Sequence, residues 1–187
     1  MARIMSSIGD PMARSAGSIR RLVALPLAIG NDLMEISDIL EPRAVIANLR
    51  AANKKQVLHE IARRASDVTG EAERAIVDVL IERERLGTTG VGSGIAIPHG
   101  KLTTLPRLYG LFARLETPVD FESIDGQPVD LIFLLLAPGG AGADHLKALA
   151  RVSRLLRDRS ICEKLRGSDN AEALYALLTE NATSNAA

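Results

Sequence analysis

Gly87-Thr-Thr-Gly-Val-Gly-Ser-Gly-Ile-Ala-Ile-Pro-His-Gly-Lys101 decides how the rest of the chain reads. A helical pattern runs into this stretch and a strand pattern leaves it, so one glycine-rich turn joins an α-helix to a β-strand. Gly87 suits the position just past a helix, where glycine takes a left-handed backbone at least cost. Ile95 to Ile97 is an apolar run of strand character, and Pro98 biases Ile97 toward extended geometry. The segment therefore delivers one histidine, His99, at a fixed point after a strand. Gly100 has no side chain, from which an open approach to His99 is expected. Arg83 stands on what reads as the last turn of the preceding helix, and His145 follows a second glycine-rich loop, Gly139 to Gly142. Two imidazoles and a guanidinium are suitable equipment for accepting a phosphoryl group.

Outward from this turn the punctuation stays regular. Asn53 and Gln56 form a capping box ahead of Val57, Leu58, Ile61, Ala62 and Ala65, which recur at helical spacing. A second helix is expected from about Glu71 to Arg85, with Ile76, Val77, Leu80 and Ile81 inward. Beyond the turn, Leu108 to Leu115 and Leu131 to Ala137 are strand-length apolar runs. The latter is continuous enough for a central strand buried on both faces. A third helix is expected over about Asp144 to Arg157. A fourth opens with a capping box of Ser160 and Glu163, and a last opens with Asp169 and Glu172 and runs through Leu178. Helices before and after a group of strands predict an α/β fold, a single-domain sandwich with a mixed central sheet flanked by helices on both sides.

The chain has 187 residues, 47% of them hydrophobic, which suits one well-buried core. Residues 1–33 read differently, being rich in Ser, Gly and Arg. Their one apolar run, Leu22 to Ile29, is broken by Pro26 and is too short to cross a bilayer. They are expected to be a disordered extension, with the folded domain over 34–181 and a flexible tail over 182–187. All four methionines lie at or before Met34, so a natural start inside the extension is expected. Lys plus Arg (23) equals Asp plus Glu (23), so no global field draws the chain to nucleic acid or to an acidic membrane. The lone Cys162 sits in an apolar helical pattern, reads as a buried thiol, and fits a reducing cytoplasm.

Other motif readings fail on position. A nucleotide-binding P-loop ending in Gly100-Lys101 would need glycine at Ile95 and a hydroxyl at Leu102. Gly90, Gly92 and Gly94 alternate and precede a strand, whereas a dinucleotide fingerprint opens a helix. His59, His99 and His145 share no metal spacing, so neither metal nor cofactor is expected. Gly92-Ser93-Gly94 is a turn rather than a nucleophile elbow. His59, beside Glu60, reads as an ordinary helix-surface histidine. Arg83 lies in Glu82-Arg83-Glu84-Arg85, which on its own is a solvated helix face.

Taken together, Arg83-Glu84, the Gly-Thr-Thr-Gly-Val-Gly run, Ile95-Ala-Ile-Pro-His-Gly-Lys101, Phe121, Asp125-Gly-Gln-Pro-Val-Asp-Leu131 and His145-Leu146 strongly resemble the IIA enzymes of the phosphoenolpyruvate phosphotransferase system. Within that fructose/mannitol-type family the chain looks most similar to the nitrogen-related branch. The resemblance spans about Ile36 to Leu178. It implies the same α/β fold, with His99 on the surface where the strand carrying Ile97 ends.

It also implies a cytosolic phosphocarrier whose nucleophile is Nε2 of His99. The implied donor is a histidine-phosphorylated HPr-like protein, and the implied output is phosphorylation-dependent binding to regulatory protein partners. A sugar-specific IIA component serving a separate IIB and permease is the close alternative, and a binding module that has lost transfer is a third reading. The intact His99, Arg83 and His145 argue against that loss. Only the resemblance singles out Arg83 over Arg85. Backbone N–H groups of Gly87 to Gly94, Gly90 among them, are expected to nest an anion. Thr88 and Thr89 have two readings at this point, as shapers of the turn or as donors to phosphate oxygens.

Overall fold

The computed structural model describes residues 34–184, so the expected extension over 1–33 lies outside the described residues. One turn of 3₁₀ helix, Ile36–Asp38, leads into strand β1, Leu40–Leu49. Helices α1 (Lys54–Thr69) and α2 (Glu73–Arg85) follow, then β2 (Gly90–Gly92), β3 (Ile95–Ala96) and β4 (His99–Leu102). The long strands β5 (Tyr109–Val119) and β6 (Val129–Pro138) come next, and α3 (Gly142–Arg157), α4 (Arg159–Arg166) and α5 (Ala171–Ser184) close the chain. The six-stranded sheet has the order β1-β5-β6-β3-β2, with β4 also paired to β6. It is mixed: β1 runs parallel to β5, β5 and β6 are antiparallel, and both β3 and β4 run parallel to β6.

β6 is the expected central strand. Leu131 to Ala137 are all buried, and successive strand side chains face opposite ways, so the sheet is covered on both faces there. Phe112, Phe133 and Phe121 are fully buried at the heart of the same core. The fold class is the mixed α/β arrangement expected from the sequence.

β1 was not anticipated. Its burial does not alternate, Pro42 interrupts it, and its pairing with β5 slips between Leu40 and Val45 and again between Ile46 and Leu49. Such an edge strand is made by its neighbour rather than by its own pattern. Two helix starts also move. Asp158, not Ser160, caps α4, its Oδ1 accepting from the N–H groups of Ser160 (2.9 Å) and Ile161 (3.3 Å). Asn170, not Asp169, caps α5 through Glu172 and Ala173 (2.8 and 3.0 Å). In both places two capping residues stand near one helix start, and the side chain that reaches the free N–H groups prevails. α5 continues to Ser184, into the segment expected as a tail.

The elements that position His99 come from one interruption. β3 pairs with Leu131 and Ile132 of β6, and β4 pairs with Leu135 to Pro138. The two are a single neighbour of β6, broken at Ile97-Pro98 because proline has no N–H to give the ladder. Pro98 still accepts from the Leu135 N–H at 2.9 Å, so the break is short and rigid. The β2–β3 hairpin turns through Ser93 (φ 56°) and Gly94 (φ 77°), both left-handed, as a tight hairpin turn requires.

Candidate active site

His99 opens β4 and is half-buried against the central strand, pairing with Leu135. The strand carrying Ile97 was expected to end at a surface histidine; instead pairing with β6 resumes at His99, which is only partly exposed. Gly100 also differs from expectation. A Cβ there would lie 2.8 Å from Cγ2 of Val79 on α2, so the missing side chain serves close packing of helix on strand rather than approach by a partner.

The ring of His99 is held at both nitrogens. Nδ1 lies 2.8 Å from the carbonyl oxygen of Ile97, and Nε of Arg83 donates to Nε2 at 2.9 Å. A carbonyl can only accept and a guanidinium can only donate. Nδ1 therefore carries the proton and Nε2 presents its lone pair. Burial pushes the His99 pKa below its ordinary 6.5 and the Arg83 charge adds to this, against an opposing contribution from the Ile97 carbonyl. The neutral imidazole is thus the stable form at pH 7.

Arg83 is itself anchored, with Nη1 donating to the carbonyl of Gly87 at 3.0 Å. The same guanidinium touches both the candidate acceptor and the start of the glycine turn. Its neighbour Arg85 is exposed, so geometry separates two arginines that the sequence pattern could not.

His145 lies in the first turn of α3, its N–H bonded to the Ala141 carbonyl at 3.0 Å. The two imidazole rings stand 5.7 Å apart, edge to face at 62°. His145 is only 7% exposed, and among the described residues its Nε2 has no hydrogen-bond partner. Burial lowers its pKa, helped by the nearby charges of His99 and Lys101. A buried nitrogen without a partner costs free energy in the empty site and becomes useful when a polar group arrives.

Thr88, Thr89 and Gly90 point their donors elsewhere. The Thr88 hydroxyl donates to the Phe121 carbonyl (2.7 Å), and the Gly90 N–H donates to that hydroxyl (3.0 Å). Thr89 gives its N–H (2.9 Å) and hydroxyl (2.7 Å) to the Glu84 carboxylate. The Gly87 N–H goes to the Glu84 carbonyl and the Ser93 N–H to Asp125. These bonds match the turn-shaping reading, and the named donors are spent on protein acceptors within and beside the loop.

Sequence reasoning quoted Glu84 beside Arg83 in the family resemblance but gave it no role of its own. Its side chain is 8% exposed and pairs with Lys54 at 2.7 Å. Burial opposes its ionisation, but hydrogen bonds from Lys54 and Thr89 outweigh that and hold its pKa below the usual carboxylate value. Glu84 fixes Thr89, and the Thr89 carbonyl accepts the Ile97 N–H at 2.9 Å, one residue before Pro98. In the sequence Glu84 sits among alternating charges that read as solvated, and no local signal distinguishes it. His59 lies on α1 and takes no part in this cluster. Among the described residues, no group of three or more His, Cys, Asp or Glu side chains could hold a metal ion. Cys162 is buried, as expected.

The fold is thus a mixed α/β sheet that gathers a guanidinium and two imidazoles where β3 gives way to β4. The sequence matches the family model described as the phosphoenolpyruvate-dependent sugar phosphotransferase system, EIIA 2, over residues 38–181. The chain belongs to that family. It is 60% identical over 145 residues to a nitrogen regulatory protein of Bradyrhizobium diazoefficiens, covering 78% of this chain and 95% of that one. The crystal structure of nitrogen regulatory protein IIA-Ntr from Neisseria meningitidis superposes with a TM-score of 0.73 at 34% identity, covering 77% of this chain and 99% of that one. A fructose-specific EIIA component of Haloferax volcanii is 33% identical over 150 residues, covering 80% of this chain and 97% of that one. Among the described residues, no helix is long and apolar enough to cross a membrane.

Proposed function

We propose that the chain is a cytoplasmic phosphocarrier that accepts a phosphoryl group on Nε2 of His99 from a histidine-phosphorylated HPr-like protein, and whose phosphorylation state governs binding to regulatory partners. The observation that carries this reading is the fixed tautomer: a ring locked at Nδ1 by the Ile97 carbonyl, with its lone pair at Nε2 turned toward Arg83.

In the step itself, the Nε2 lone pair forms a bond to phosphorus as the bond between phosphorus and the donor imidazole breaks. The electron pair of that broken bond returns to the donor. The proton on Nδ1 of His99 stays in place, donated to the Ile97 carbonyl throughout. Because Arg83 donates to the very lone pair that must react, its N–H groups have to transfer to the phosphoryl oxygens as the new bond forms. The tether to Gly87 keeps the guanidinium within reach during that exchange. Charge in a largely dissociative transition state spreads over the equatorial oxygens, where a planar guanidinium and the unpartnered Nε2 of His145 can both donate, the latter after tautomer exchange or protonation. Neither a metal nor a cofactor enters the scheme.

The regulatory output is preferred because the relative at 60% identity is a nitrogen regulatory protein. The second reading, a sugar-specific IIA component passing the group to a separate IIB, draws on the 33% identity to the fructose-specific relative. Incubation with phosphoenolpyruvate, the general phosphotransferase enzyme and the HPr-like carrier should place acid-labile phosphate on His99. Absence of label while the carrier is charged would refute the phosphocarrier reading. Onward transfer to a fructose-type IIB at a rate matching the charging step would replace the regulatory reading with the sugar one.

A further inference from the structure

We propose that the cavity enclosed by the β2–β3 hairpin on one side and by α3 and α4 on the other is a second binding site, for a small organic anion with an apolar body. The cavity holds about 560 Å³, a volume in the range that encloses a small molecule. Its lining divides by chemistry. Ile95, Ile97 and Leu156 form a buried apolar wall, with the Cys162 thiol beside them. Arg157, Arg159 and Arg166 belong to the same lining.

The three arginines are not equivalent. Arg166 makes a two-pronged pair with Asp130 (2.7 and 2.8 Å) and donates to the Ser93 carbonyl (2.8 Å), so it is neutralised and fixes the hairpin against α4. Arg157 and Arg159 are exposed, and among the described residues neither side chain has an ion pair or hydrogen bond. Asp158, between them in the chain, is occupied as the cap of α4. Glu163 is the acid in the lining outside these pairs, so the lining residues themselves include more cations than acids. Two uncommitted planar donors beside an apolar wall match a carboxylate, phosphate or sulfonate carried on a hydrophobic body. Walls on both sides favour a compact molecule over an extended peptide.

The cavity shares only Ile97 with the cluster around His99, and it stands whether or not His99 accepts phosphate. The two sites meet at Ile97, which lines the cavity and whose carbonyl holds Nδ1 of His99.

The test uses two fluorescent probes with the same apolar body, anilinonaphthalene sulfonate and uncharged phenylnaphthylamine, titrated into the unphosphorylated full chain. Anilinonaphthalene sulfonate should bind at one site, and more tightly than phenylnaphthylamine. The R157A/R159A double variant should weaken the sulfonate by about tenfold or more and leave phenylnaphthylamine unchanged. Both arginines are exposed, so the variant should fold, and matching circular dichroism and thermal unfolding would establish that it does. R157E/R159E should abolish sulfonate binding. Equal sulfonate affinity in native and double-alanine proteins, equal affinity of the two probes for the native protein, or no binding at all would each overturn the proposal. So would displacement of the dye by hexaglutamate at lower concentration than by benzoate, which would assign the cavity to an acidic peptide.

Discussion

The glycine turn before His99 and the first turn of α3 carrying His145 face the same imidazole, yet they differ in how their polar groups are spent. In the turn, the hydroxyls of Thr88 and Thr89 and the N–H groups of Gly87, Thr89 and Gly90 all have internal partners. In α3, Nε2 of His145 is buried with none. A satisfied group holds geometry and has nothing left to offer a ligand. An unsatisfied one carries a standing cost that only an incoming group can repay. The turn is therefore scaffold and His145 is reserve. Arg83 belongs to both classes, tethered to Gly87 by one nitrogen and to Nε2 of His99 by another.

The contrast can be broken at several points. His99→Ala removes the proposed acceptor and should abolish labelling entirely, with about 1 kcal/mol lost from unfolding stability for the Nδ1 hydrogen bond. Labelling of this variant at the native level would remove His99 from the mechanism. His145→Leu should slow transfer on the order of 100-fold without abolishing it. Because it deletes an unpartnered nitrogen and keeps an apolar body of similar size, denaturant unfolding should stay within about 1 kcal/mol of native. A large loss of stability in this variant would mean that Nε2 has a structural partner after all.

Arg83→Ala should slow transfer about tenfold and Arg83→Lys less, since lysine keeps the charge but loses the planar fork. The exposed Arg85→Ala should be silent. The reverse ranking in single-turnover assays would mean that Arg85, and not Arg83, engages the phosphoryl oxygens.

Glu84→Gln tests the scaffold side. The near-isosteric amide keeps the shape but loses the charge on which Lys54 and Thr89 converge, so unfolding stability should fall by about 2 kcal/mol. The acceptor chemistry should survive in the protein that remains folded. Loss of labelling with no loss of stability would make Glu84 part of the reaction instead.

The smallest expected effect is on pH dependence. His99 and His145 both have pKa values lowered below the ordinary 6.5, chiefly by burial. Unfolding lets both take up protons at the ordinary value, so just below it the unfolded state binds more protons and stability falls as pH drops. Their contribution is intact above 6.5 and is lost as pH falls from there through the folded values. The double variant His99→Gln with His145→Leu should show a flatter decline between about pH 7 and 5 than the native protein. An unchanged slope would place the titration elsewhere. The lowered pKa of Glu84 acts in a more acidic window, where its stabilisation is lost as pH falls below the ordinary 4.5.

Elements whose signal is local were legible in the chain alone. The Asn53 cap, the periodicity of α1 and α2, the turn at Gly92-Ser93-Gly94 and the continuous apolar run of β6 each express a preference of the residues that form them. His99 was legible for the same reason, since proline and glycines around one imidazole are a local statement, and the family resemblance added Arg83 and His145. Everything that depends on partners distant in the chain waited for the packed fold. β1 becomes a strand because β5 lies beside it. Gly100 is required by Val79 rather than by access, and Thr88 and Thr89 are turned inward by Phe121 and Glu84. Glu84 is distinguished from its charged neighbours by a lysine thirty positions earlier in the chain, at Lys54. Hydrogen-bond satisfaction and close packing are properties of the assembled fold. No periodicity in the chain encodes which donor will find its acceptor, and so the division between scaffold and reserve around His99 could be read only once the elements were packed together.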